Sequence, residues 1–324
     1  MTTTAPVASP VDFSVHGDYT IKAATRPDGS FVRPLYPFQG RITADGSSGY
    51  PAERGRYHLY VSLACPWAHR SIIVRSLAGL EDVVSLSVVD PVRDGRGWAF
   101  REGRGHGPDE INGFRLLREA YDATEPGYDG HVSVPVLWDR ETRKIVSNNF
   151  PDISIDLGTQ FGEWADPAVD LYPAALRAEI DTLNAQVYAT VNNGVYRCGF
   201  ATSQEAYDAA VTDLFATLGE LEDRLADRRY LFGEAVTEAD VRLWVTLARF
   251  DSVYVTHFKA NLRRLVDYPN LWRYARDLYQ NPAFGGSTDF DHIKRHYYGT
   301  HPGVNPNRIV PAGPVLDWSL PRAQ

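Results

Sequence analysis

Cys65 stands where the chain changes its period. It follows Tyr57-His58-Leu59-Tyr60-Val61-Ser62-Leu63-Ala64 and precedes Pro66-Trp67, and beyond it apolar residues recur at helical rather than strand spacing. A cysteine at such a junction meets the unpaired amide N–H groups of the first helical turn and the positive end of the helix dipole. Both favour thiolate over thiol, and the thiolate is the nucleophile. The position therefore predicts a reactive Cys65 that is ionised at neutral pH, in preference to a small buried apolar side chain. Cys198 has no comparable surroundings in sequence and is expected to be structural. The two cysteines do not form a Cys-x-x-Cys pair, which excludes a disulfide framework and a two-thiol redox motif and suits a reducing cytosol. His69 lies four residues after Cys65 without further ligands nearby, so no metal site is expected.

The elements that must hold Cys65 follow from periodicity. Residues 56–63 alternate and are rich in aromatic and β-branched side chains, which predicts a strand. Ala68, Ile72, Ile73, Leu77 and Leu80 predict a helix opened by Pro66, and residues 83–89 a second strand. A helix is expected over 112–121, then a hairpin of 132–138 and 144–146 around residues 139–143. The order βαβ, α, ββ, α is that of a thioredoxin-type α/β sandwich. Val134-Pro135 opens one of its strands; sequence leaves open whether this is a cis bond that presents backbone groups to a ligand or an edge-strand proline.

From about Pro173 the period becomes 3.6, with helices expected over 175–191, 203–226 and 241–250 and a capping signature at Thr237-Glu238-Ala239-Asp240. The proline-rich tail from Tyr297 is expected to be irregular and to wrap the surface. The organisation read from the sequence is an irregular extension (1–50), a thioredoxin-like domain (51–160) and an all-α domain with an irregular tail (161–324).

Composition narrows the function further. The 324 residues are 44% hydrophobic and 23% charged, which is ordinary for a globular protein of two domains. A net charge of −8 argues against a nucleic-acid partner, because binding phosphates needs clustered cations. No apolar run approaches a membrane span, and the first ten residues lack the basic flank and apolar core of a secretory signal, so a cytoplasmic protein is expected. Lysine occurs at only four positions, 22, 144, 259 and 294, with arginine elsewhere, as in GC-rich coding sequence.

Residues 55–70, Gly55-Arg56-Tyr57-His58-Leu59-Tyr60-Val61-Ser62-Leu63-Ala64-Cys65-Pro66-Trp67-Ala68-His69-Arg70, closely resemble the signature of the xi-class glutathione transferases, the glutathionyl-hydroquinone reductases. The same holds for Gly97-Trp98, Val134-Pro135-Val136-Leu137-Trp138-Asp139, Asn193-Gly194-Val195-Tyr196 and Asp291-His292-Ile293-Lys294-Arg295-His296-Tyr297-Tyr298. The tail matches too, in Asn305-Pro306 and Ile309-Val310-Pro311-Ala312-Gly313-Pro314.

The resemblance implies the glutathione-transferase fold, usually a homodimer, with no tightly bound cofactor. It implies that Cys65 attacks the sulfur of a thiol-conjugated hydroquinone, forming a mixed disulfide that a second thiol resolves. Trp98, with Val134 and Pro135, would wall the thiol site. Tyr196 and Tyr297, or its neighbour Tyr298, would line the quinone pocket and protonate the ring. One departure concerns the thiol: where the family reads Ser-Asn-Glu-Ser, this chain has Ser147-Asn148-Asn149-Phe150. The Glu–Ser pair that would hold the γ-glutamyl end of glutathione becomes Asn149 and Phe150. An amide and an aromatic ring suit a sugar better than an ammonium, and with the arginine bias this suggests mycothiol as co-substrate, with glutathione as the alternative. Two rivals are a transferase that conjugates thiols to electrophiles, which Cys65 disfavours because it would trap the thiol, and a non-catalytic binding protein of the same fold.

Overall fold

The computed structural model describes residues 5–20 and 24–319; the remaining parts of the expected extension and tail lie outside the described residues. Its centre is a four-stranded sheet of β1 (Tyr57–Val61), β2 (Ser85–Val88), β3 (Val136–Asp139) and β4 (Lys144–Ser147), in the order β2-β1-β3-β4. β1 pairs parallel with β2, in register Leu59 with Leu86, and antiparallel with β3, in register Leu59 with Leu137. β1, an inner strand of the sheet, is buried along its whole length. α1 (Pro66–Leu77) crosses between the parallel strands, α2 (Arg118–Thr124) packs against β4, and α3 (Phe150–Thr159) packs beside α1.

α2 differs from the helix expected over 112–121. The Asp109 carboxylate accepts from the amides of Ile111 (3.1 Å), Asn112 (3.2 Å) and Phe114 (3.1 Å) and from the Tyr60 hydroxyl (3.1 Å). Those amides are drawn into a turn, and the helix starts only at Arg118.

The second half is helical: α4 (Arg177–Val187), α5 (Gly194–Gly199), α6 (Gln204–Arg224), α7 (Glu238–Arg249), α8 (Pro269–Tyr279) and α9 (Phe290–Thr300). At the head of α7, the Thr237 amide donates to the Asp240 carboxylate at 2.7 Å, as the capping signature predicts. The helix expected over 175–191 gives way to a π-helical turn at Tyr188–Asn192, and a second such turn, Phe250–Tyr254, follows α7. The tail is helical through Thr300, three residues beyond Tyr297, because Pro302 stops a helix only in its immediate neighbourhood. From His301 to Ser319 the chain is irregular, as expected.

Among the described residues the extension is irregular apart from one helical turn (Phe13–His16), a two-residue strand pair (Ala24–Thr25 with Phe31–Val32) and isolated bridges. It is strapped to the body: Arg41 forks onto Asp156 of α3 (2.6 and 3.1 Å), and the Ile42 amide donates to the same carboxylate (2.9 Å). The α/β and helical halves meet along α1 and α7.

Candidate active site

Cys65 is the N-cap residue of α1, with Pro66 in the first turn, so the local reading of strand, cysteine and helix holds. The Ser62 carbonyl accepts from the Cys65 amide (3.1 Å), fixing the turn, and the thiol faces the amides of Trp67 and Ala68. The Val134–Pro135 bond is cis, and the Val134 carbonyl accepts from the Cys65 thiol at 3.5 Å.

The electrostatics of the thiol differ from expectation. Cys65 is 8% exposed, and burial pushes its pKa up, against the opposing pull of the Ala68 and Trp67 amides and of Arg249 and Arg33. The helix terminus acts in the anticipated direction, but desolvation outweighs it, so the free protein holds a thiol at neutral pH. Cys198 lies away from Cys65 among helices, and burial pushes it up to about 12.

Cys65, Trp98, Val134, Tyr196 and Tyr297 line one open cleft. Tyr196 comes from α5 and Tyr297 from α9, and their hydroxyls share a hydrogen bond of 2.5 Å. A third phenol, Tyr254 from the π-helical turn, reaches the Tyr297 hydroxyl at 3.0 Å. Burial raises the pKa of Tyr196 and Tyr297 well above the ordinary tyrosine value, so both keep their protons. Trp98 stacks on His296 (5.0 Å between centroids, 15° between planes). The His296 Nδ1 donates to the Pro91 carbonyl (2.7 Å), and burial holds this imidazole neutral.

Tyr298 is not part of the cleft. It points the other way, and its hydroxyl donates to the Ser252 carbonyl (3.2 Å), because successive residues on a helix lie about 100° apart. Asn149 and Phe150 also lie outside the cleft, beside a separate depression that Tyr36, Tyr188 and Arg242 help to line. The Asn149 amide donates to Asp152 (2.8 Å). Phe150 is only 2% exposed, with its ring 4.5 Å from Trp67 and edge-to-face with Tyr36 at 5.2 Å. Its face is therefore occupied, and the ring stacking on a sugar expected of it is not available.

The sequence reading also missed two cations of the cleft. Arg33, from the extension, lies over Trp67 (4.4 Å) and Tyr196 (4.6 Å) and donates through Nε to Asn193 (2.9 Å). Arg93 lies over Trp98 at 4.4 Å. Both sit in segments without periodicity, so only the fold brings them to Cys65. Among the described residues there is no group of three or more His, Cys, Asp or Glu that could hold a metal ion, and no helix is long and apolar enough to cross a membrane.

Residues 204–277 match the family model of the glutathione S-transferase C-terminal domain. The chain is 47% identical over 303 residues to the glutathionyl-hydroquinone reductase YqjG of Escherichia coli, covering 91% of this chain and 92% of that one. It is equally identical over 287 residues to the glutathionyl-hydroquinone reductase PcpF of Sphingobium chlorophenolicum, covering 89% and 90%. The fold matches the glutathione-bound structure of YqjG (TM-score 0.86, 48% identity, 88% and 95% covered). It also matches the glutathione-S-transferase Xi of Phanerochaete chrysosporium (TM-score 0.89, 47% identity, 94% and 99% covered).

Proposed function

The chain belongs to the xi-class glutathione transferases, the glutathionyl-hydroquinone reductase family, and from that premise we propose that it removes the thiol group from S-conjugated hydroquinones through Cys65. The observation that carries the reading is one cleft holding a cysteine at a helix head and a hydrogen-bonded pair of protonated phenols. The Cys65 sulfur attacks the conjugate's sulfur as its thiol proton is lost to water, and the bond from sulfur to the ring carbon breaks. Tyr196 or Tyr297 protonates that carbon, releasing the hydroquinone and leaving Cys65 in a mixed disulfide with the thiol. The ring carbon gains the two electrons that the two sulfurs lose. A second thiol attacks the mixed disulfide, leaves as a disulfide and frees Cys65.

Trp98 and the backbone at Val134–Pro135 wall the thiol site beside Cys65. No resident cofactor or metal enters these steps. The protein works in the cytoplasm as a homodimer, as the family resemblance and the two reduced cysteines suggest.

A conjugating transferase fits less well, since Cys65 would hold the thiol as a disulfide rather than present it to an electrophile. The test is intact-mass analysis after one equivalent of glutathionyl-hydroquinone: a glutathionyl group should appear on Cys65 as free hydroquinone is released. Turnover without that adduct, and surviving Cys65→Ser, would sink the reading.

A second reading concerns the thiol. Asn149 and Phe150 supply no carboxylate for a γ-glutamyl ammonium, and the bottom of the neighbouring depression holds the Asn184 side-chain oxygen without a hydrogen-bond partner. The neutral amides of Asn149 and Asn184 there, beside the charged Asp181 and Arg242, support the pseudo-disaccharide of mycothiol over the γ-glutamyl group.

A further inference from the structure

Arg93 is 6% exposed, and its guanidinium is held between the rings of Tyr19 (3.7 Å) and Trp98 (4.4 Å). Among the described residues it makes no hydrogen bond and no ion pair, and its Nε is buried without an acceptor. The nearby carboxylates are already engaged: Asp94 by Arg96 and Arg101, and Asp90 by Arg101 at 3.1 Å. No aspartate or glutamate lines the cleft, which holds a second guanidinium, that of Arg33, with Nη2 likewise unpartnered.

A guanidinium carries five donors and no acceptor. Aromatic faces attract its charge, but they do not satisfy those donors. Burying a cation without a counter-charge is costly, and the protein lowers that cost elsewhere in this region with carboxylates. At Arg93 it does not, which leaves the fork to be completed by a ligand. A carboxylate fits it, since it can accept two parallel hydrogen bonds from one guanidinium.

We propose that Arg93 is a specificity-determining residue of the Cys65 cleft that recognises a carboxylate on the conjugate, so that the preferred substrates are acid-bearing conjugates. The inference rests on the reductase reading and adds the substrate's charge to it. The carboxylate could belong to a substituent of the aromatic ring or to the thiol, and both would make the same paired contact.

The test measures binding to the Cys65→Ser protein, which cannot turn the ligand over, by calorimetry at fixed salt. One pair of ligands compares a ring carboxylate with its ring carboxamide, both conjugated to 2-mercaptoethanol. The other compares a glutathionyl conjugate of an uncharged ring with the same conjugate amidated at its glycine. The acid should bind at least ~10-fold tighter than the amide in one pair, which identifies the source. That gap should close with Arg93→Gln and persist with Arg93→Lys. Should Arg93→Gln fail to fold, Arg93→Met keeps the contact with Tyr19 and Trp98 and replaces it. Equal binding within both pairs overturns the proposal, as does a gap that survives the neutral Arg93 variants and closes with Arg33→Gln. Turnover of the glutathionyl conjugate by the unmodified protein is measured alongside; its absence refutes the reductase reading and leaves the binding result standing.

Discussion

Arg249, the last residue of α7, donates through Nε to the carbonyl of Ala64 at 3.0 Å, one residue before the nucleophile. Its Nη2 donates to the Leu63 carbonyl at 3.0 Å, and its Nη1 meets His69 Nδ1 at 3.2 Å. A guanidinium only donates, so His69 accepts at Nδ1 and carries its proton on Nε2, which donates to the Ser287 hydroxyl (2.8 Å). The helical half of the molecule thus fixes the turn on which Cys65 sits.

Arg249→Leu should therefore reduce both stability and Cys65 reactivity. The carbonyls of Leu63, Ala64 and Val245 would be left without their side-chain donor, at about 1–3 kcal/mol for each that finds no other partner. Denaturant unfolding should show a loss of at least ~2 kcal/mol, and alkylation of Cys65 should slow, because the guanidinium's positive charge near the thiol is gone. Arg249→Lys restores the charge but not the fork, so it should recover more of the alkylation rate than of the stability. A variant as stable as the parent would show that the bridge carries no net energy.

Tyr196→Phe and Tyr297→Phe should slow breakdown of a hydroquinone conjugate by about 10²–10⁴-fold, the usual contribution of a general acid. Reduction of a simple mixed disulfide protonates no ring carbon and should change little. Tyr298→Phe should leave both rates near the parent's, since its hydroxyl is spent on the Ser252 carbonyl. Parallel losses on both substrates for Tyr196→Phe or Tyr297→Phe would mean a damaged cleft rather than a lost proton donor.

The parts of this site readable in the sequence are those set by neighbours along the chain. The switch of period at Cys65 fixes a strand, a cap and a helix within twenty residues, and both flanking elements form there. The environment of the thiol is set by distant segments. Arg33 of the extension and Tyr297 of α9 line the same cleft as Cys65 from distant parts of the chain, and burial in that cleft reverses the shift that the helix amides alone would give. The start of α2 was hidden for the same reason, because the Asp109 carboxylate that delays it is anchored by Tyr60 on a strand. Which of two adjacent tyrosines faces the cleft depends on the phase of α9 against its neighbours, which a short motif does not encode.

The direction of the Cys65 shift gives a pH dependence. Because burial favours the neutral thiol, the folded pKa lies above the unfolded one. The site's contribution to stability is complete below the unfolded value, about 8.5, and declines as pH rises through the folded value. Alkylation of Cys65 by iodoacetamide should accordingly keep rising beyond pH 9, after subtraction of the Cys65→Ser background. A plateau reached by pH 7 would restore the ionised resting thiol that the helix head alone suggests.

The choice of thiol is open to direct measurement. With one hydroquinone, the mycothionyl conjugate should show a higher kcat/KM than the glutathionyl conjugate, by roughly 10-fold, which is about 1.4 kcal/mol. Replacing Asn149 and Phe150 together by Glu and Ser is a poor test. Phe150 is a buried ring packed on Trp67, and removing such a side chain costs about 3–5 kcal/mol. Asn149→Glu alone keeps that packing and places a carboxylate at the head of α3, where helix amides favour it, although Asp152 repels it from 2.8 Å away, the present spacing of the two side chains. The substitution should move the ratio of the two kcat/KM values toward glutathione while leaving reduction of an uncharged mixed disulfide intact. If the unmodified protein already prefers the glutathionyl conjugate, the Asn149–Phe150 pair does not select the thiol, and mycothiol is the wrong co-substrate.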